Sequence, residues 1–210
     1  TTCRNTMNPA PFTAKDFQVK AGEGARAHVI GLVKDQIVTE NLVEQLKVEK
    51  GLAVADVERD ILKICVIERH KATGNIGIGF VKGFGLQKGA LASSVGHDAH
   101  NLIVVGTNDA DMELAAKHVV SERGGFAAAS EGKILGSLEL PIAGLMSYDT
   151  IEDVDLQITG LKHISKKMGC RIEDPFMLLG FLALEVIPHL KLTDIGLVDV
   201  DQFKIINLMA

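Results

Sequence analysis

Polar and apolar positions along the chain fall into patterns with different periods. ILKICVIER (Ile61–Arg69) is an almost unbroken apolar run rich in β-branched residues, as expected of a strand buried on both faces. ALASSV (Ala90–Val95) and LIVVG (Leu102–Gly106) are shorter runs of the same kind. ARAHVIGLV (Ala25–Val33) is strand-like, and QIVTENLVEQLKVE (Gln36–Glu49) suits one long or two short strands before an EKG turn. A helical period takes over in TNDADMELAAKHVVSERGG. There Asn108 or Asp109 can cap, acids fill the first turn, and Gly124 and Gly125 stop the helix. FAAAS, EGK and ILGSLEL then suit a hairpin. A second amphipathic helix is expected over Thr150–Gly169, with Gly169 at its C-terminal end. After EDP, with Pro175 suited to a first helical turn, Phe176–Leu184 suits a short helix or a buried strand, and KIINLM a returning strand.

Together these elements predict an α/β (mixed α+β) fold: a mixed sheet layered with two main helices and preceded by a small β segment. Residues 1–58 read as a linker and small β segment, too thin for a core of its own, and residues 59–210 as the main α/β domain. Residues 1–16 look irregular. The opening TTCRNTMNPAPF, with two prolines and no initiator Met, reads as a linker or cut within a longer protein.

Composition narrows the function. With 47% hydrophobic but only 4% aromatic residues, the core must be aliphatic, and base-stacking platforms are not expected. A formal charge of −5 without a Lys/Arg run argues against nucleic acid as a partner. The longest apolar run, Phe176–Leu184, is far short of the about 20 residues of a membrane span, so no membrane partner is expected. Cys3, Cys65 and Cys170 are too scattered for a disulfide framework or a zinc site; buried free thiols and a cytoplasmic location are expected.

Two stretches carry candidate chemistry. Gly77, Gly79, Gly83, Gly85 and Gly89 give GxGxxxG twice, which is neither a dinucleotide fingerprint nor a phosphate loop. A tight loop or bulged strand lining a pocket, with Phe80 and Phe84 as walls, fits better. In SSVGHDAHN, His97, Asp98 and His100 crowd together behind Ser93 and Ser94. A metal site needs about three or four protein ligands, more than this cluster holds. Cys65, His70 and Asp109 are candidates for the rest, though no spacing ties them to it. Two other readings stay open: an inert polar turn, and a wall that gives hydrogen bonds or proton transfer to a small polar ligand. His28, His118, His163 and His189 read as surface or structural residues.

The order of these motifs carries a resemblance. ERHKATGNIGIGFVKGFGLQKGALASSVGHDAHNLIVVGTNDADM (Glu68–Met112), LPIAGLMS (Leu140–Ser147) and EDPFMLLGFLALEVIPHLKLTDIGLVDV (Glu173–Val200), with GEGARAHVIGLV and IVTENL upstream, closely resemble the C-terminal region of adenine deaminases of the amidohydrolase superfamily. The resemblance implies hydrolysis of adenine to hypoxanthine and ammonia, with iron or manganese held in an amidohydrolase barrel. That barrel takes about 250 residues and its His-x-His signature is absent here, so the metal ligands are expected outside this chain and none is assigned within it. Alone, the chain is expected to be incomplete and inactive, with the N-terminal barrel as its partner and homo-oligomeric assembly left open. The resemblance carries over to Ser93–Asn101 and Gly74–Gly89, both expected to face the barrel mouth. Asp98, His97 and His100 are the catalytic candidates, and Ser93, Ser94, Asn101, Asn75 and Phe84 the substrate-binding ones. The alternative is a purely structural or interface domain in which the HDAH turn is a polar latch. A free-standing small-molecule binding module is a third reading.

Overall fold

The computed structural model describes residues 3–210, so the first two residues of the stretch read as irregular lie outside it. Along the chain a 3-10 turn (Ala14–Phe17) precedes β1 (Val19–Lys20), β2 (Arg26–Leu32), β3 (Thr39–Gln45), β4 (Lys47–Glu49), β5 (Leu52–Val54), β6 (Ile61–Ile67), β7 (Ile76–Lys82), β8 (Ala90–Ser93) and β9 (Leu102–Gly106). Helix α1 (Asp109–Ser121) leads to β10 (Gly125–Ser130) and β11 (Lys133–Glu139). Helices α2 (Ile151–Lys167) and α3 (Pro175–Leu182) follow, and β12 (Leu190–Thr193), β13 (Gly196–Asp199) and β14 (Lys204–Ile206) close the chain. The mixed α+β class holds, with α3 as a third helix. Phe176–Leu184 resolves to that helix, with Pro175 in its first turn and Asp174 as its cap.

An eight-stranded sheet in the order β11-β10-β8-β9-β6-β7-β2-β3 forms the middle layer. Every neighbouring pair is antiparallel except β2 with β7. Central β6 is buried along its whole length, which is why its sequence shows no alternation. Its side chains still divide by the period of two: Leu62, Ile64 and Val66 join one core, Cys65 and Ile67 another. The first core lies under α2, α3 and the three-stranded sheet β12-β13-β14. The second lies under α1 and the N-terminal Phe12 and Phe17, and a third joins β2 to the small sheet β1-β5-β4 through Val29, Leu46, Ala53 and Phe80. All three cysteines are free, but Cys3 is exposed rather than buried.

The glycine zone departs from expectation. Its first half is the regular strand β7, in unshifted register with β6, not a bulge. A Cβ on Gly77 would stand 1.8 Å from the Thr193 carbonyl oxygen, so glycine lets the β12–β13 turn lie directly on the strand. Phe80 and Phe84 are fully buried core residues, not pocket walls.

Candidate functional site

The HDAH loop joins antiparallel neighbours β8 and β9, and their pairing brings other polar residues to the same end of the sheet. Leu102 at the start of β9 pairs with Ile67 at the end of β6, so Glu68, Arg69 and His70 emerge beside the loop. Arg69 is 1% exposed and spreads its guanidinium over three segments. Nε donates to the His100 carbonyl, Nη1 to the Thr6 carbonyl at 3.2 Å, and Nη2 to the Ala143 carbonyl at 3.1 Å. Burial pulls Arg69 down to about 10, which leaves it cationic at neutral pH. His70 Nε2 donates to the Ala99 carbonyl at 2.7 Å, so two successive carbonyls of the loop are clamped. The Glu68 carboxylate accepts from the backbone of His70, Lys71 and Thr73. Burial pushes its pKa up, but these donors outweigh burial and hold it below the usual carboxylate value.

With its backbone clamped, the loop turns its side chains two ways. His97 and Asp98 are exposed. The His97 ring lies on Phe181 of α3, with centroids 3.8 Å apart and planes 20° apart. His100 turns inward, and its Nδ1 accepts the Gly96 N–H at 3.2 Å. Burial first, then the charges of Arg69 and His70, hold His100 below the ordinary histidine value, which favours the neutral ring. These three residues and Asn101 border a cleft whose other walls include Val66, Ile103, Ala183, Glu185 and Asp194. Asn101 Nδ2 donates to Asp194 Oδ1 at 3.1 Å, and Asn75 Nδ2 to Asp194 Oδ2 at 3.2 Å.

The expected residues are therefore only partly assembled. His97, Asp98, His100 and Asn101 share the cleft, and Asn75 reaches its rim through Asp194. Ser93 and Ser94 are fully buried. Ser93 Oγ donates to the Val95 carbonyl at 3.1 Å, and Ser94 Oγ donates to the Gly144 carbonyl at 2.6 Å while accepting the Gly125 N–H at 2.7 Å. They build the loop and are not free to meet a ligand. Phe84 has no exposed surface and lies in the core, so it too is withdrawn from any ligand. The sequence reading missed Glu185, Asp194 and Arg69. Glu185 was visible only as the residue that ends an apolar run, and Asp194 only as part of the resembling stretch Glu173–Val200.

These residues do not fit a metal centre. His100 Nδ1 already accepts the Gly96 N–H, and no group of three or more His, Cys, Asp or Glu side chains suited to a metal comes together among the described residues. In a larger cavity, beside Lys63, the lysine is already paired, with its Nζ 2.6 Å from Asp109 Oδ1. Among the described residues no helix is long and apolar enough to cross a membrane.

A family profile described as "Adenine deaminase C-terminal domain" matches residues 36–204. A protein named adenine deaminase from Desulfatibacillum aliphaticivorans is 56% identical over 193 residues, which are 92% of this chain and 34% of that protein. A namesake from Dehalococcoides mccartyi is 48% identical over 205 residues (96% and 35%), and one from Methylobacterium nodulans 46% over 204 (97% and 36%). The chain thus spans about a third of the length of these curated relatives.

Proposed function

The chain belongs to the family of adenine deaminase C-terminal domains, and from that premise we propose that it forms one wall of an adenine-hydrolysing site whose remaining parts lie outside it. The reaction is adenine plus water to hypoxanthine plus ammonia. The iron or manganese implied by the resemblance would be held by an N-terminal barrel, since the residues here do not fit a metal. One observation carries the reading. The loop backbone is clamped at the Ala99 and His100 carbonyls while His97 and Asp98 stay exposed at the cleft rim. Side chains on a backbone so restrained are held ready for a ligand, whereas an inert turn has no need of a buried arginine beneath it. The Asp98 carboxylate is suited to accept from an amine or to hold a proton. The His97 ring, braced on Phe181, offers a flat surface to a planar base.

The test is Asp98→Asn in the full-length enzyme that carries this chain. Turnover should fall on the order of a hundredfold with the melting temperature unchanged. The competing reading, a domain that only packs against its neighbours, draws on the exposed Met177 in α3 and Val186 just beyond it. It predicts the reverse: changes at His97 and Asp98 alter assembly or melting with normal turnover.

A further inference from the structure

Two acceptor atoms on residues that line the cleft have nothing to accept from. Asn101 is only 7% exposed, and its Oδ1 is buried with no hydrogen-bond partner among the described residues. Glu185 Oε2, just beyond α3, is in the same condition, and both residues line the one cleft. Buried polar groups are as a rule paired, and leaving one unpaired costs about 1–3 kcal/mol, more for a charged group. Two such residues lining one cleft mark a place that something else completes.

The polarity of the site is fixed by its neighbours. An asparagine amide is free to be turned end for end unless its partners decide the matter. Here Asp194 decides it. Asn101 Nδ2 donates to Asp194 Oδ1 at 3.1 Å, and the flipped amide would set oxygen against carboxylate. Asp194 is itself steadied by Asn75 Nδ2, 3.2 Å from its other oxygen. The series Asn75–Asp194–Asn101 therefore fixes Oδ1 as the amide atom left without a partner.

We infer that Asn101 and Glu185 form a two-acceptor subsite for the N–H groups of an amino-substituted planar heterocycle, with Asp194 as the residue that positions it. The inference rests on the proposed purine reading and adds its discrimination. Two acceptors welcome an exocyclic amine and oppose a ring carbonyl, because a mispaired oxygen faces a fixed lone pair. Adenine is thereby favoured over hypoxanthine, so the product is disfavoured where the substrate is held.

The test compares the full-length enzyme carrying this chain with its Glu185→Gln and Asp194→Asn variants. KM for adenine is measured together with inhibition by hypoxanthine and by ammonium chloride. The amide in Glu185→Gln can donate as well as accept, so KM should rise about tenfold while hypoxanthine inhibition holds or tightens and melting stays put. Asp194→Asn frees the Asn101 amide to turn and should shift the same ratio. Unchanged KM and inhibition, equal shifts for both purines, or competition by ammonium alone would overturn the subsite. If the wild-type enzyme does not deaminate adenine, the functional reading fails by itself. The subsite is then judged by calorimetric binding of the two purines: a preference for adenine that Glu185→Gln abolishes upholds it, and no preference sinks it.

Discussion

His100 sits at φ +49°, in the left-handed region that asparagine tolerates better than most residues. Its Nδ1 accepts the Gly96 N–H, and the folded loop holds its pKa below the ordinary value of 6.5. As pH falls, the unfolded chain therefore binds the proton first. The stability this residue contributes is whole above about 6.5 and is lost as pH drops from there through the lower, folded-state value. His100→Asn keeps the backbone angle and places an oxygen where Nδ1 was, but does not titrate. Urea midpoints measured from about pH 7.5 to about pH 5.5 should fall for the wild type and flatten in the variant. Parallel slopes would remove His100 from that pH dependence. At this scale the sequence disclosed the residue types and little of their duties. SSVGHDAHN announced polar chemistry, yet Ser93 and Ser94 spend their hydroxyls on backbone within the loop and on a neighbouring segment. Asn101 and Glu185 lie 84 positions apart along the chain, and no spacing rule joins them.

Helix α3 shows how an element serves the loop beside it. Asp174 caps it, Pro175 begins it, and these signals were plain in EDPF. Gly180 lies in its interior. A Cβ there would come within 2.8 Å of His97 Nδ1 and 3.2 Å of the Val95 carbonyl oxygen, so glycine makes room for the ring that stacks on Phe181. Gly180→Ala sets two effects against each other. Helix propensity gains about 1 kcal/mol, while crowding against the loop costs about 1–3 kcal/mol. Net stability should change by no more than about 2 kcal/mol in a denaturation experiment. Adenine turnover by the full-length enzyme should fall more than that change accounts for, because His97 loses its seat. Normal turnover would show that the stack is incidental. The glycines of β7 teach the same lesson. Repetition showed that something approaches the backbone, but composition does not say what, and the visitor is the Thr193 turn rather than a phosphate.

The β10–β11 hairpin was legible in sequence, but β12 and β13 were not read as strands, and the other strands' partners were not legible, because pairing is decided by residues far apart in sequence. β10 enters between β8 and β11, and β2 lies parallel to β7 with Ile30 opposite Val81. That second pairing bears on how the molecule holds together. Residues 1–58 read as a thin appendage, yet β2 and β3 complete the eight-stranded sheet, and Val29, Leu46 and Ala53 bury Phe80 and Ile61. Phe12 and Phe17 close the core under α1, and Arg69 is tied back to Thr6. At about 1.5–3 kcal/mol for each large apolar side chain removed from water, the apolar burial that residues 1–58 bring is worth on the order of 10 kcal/mol. A whole domain has only about 5–15 kcal/mol to lose. Residues 59–210 expressed alone should therefore show no cooperative thermal transition and poor amide dispersion in a proton–nitrogen correlation spectrum, whereas the full chain should melt cooperatively and give a well-dispersed spectrum. A folded 59–210 fragment melting within a few degrees of the full chain would mean that β2 and β3 only decorate the sheet. The expected failure would make the clamp on the HDAH loop a property of the whole molecule, since Arg69 reaches the loop and the N-terminal segment with the same guanidinium.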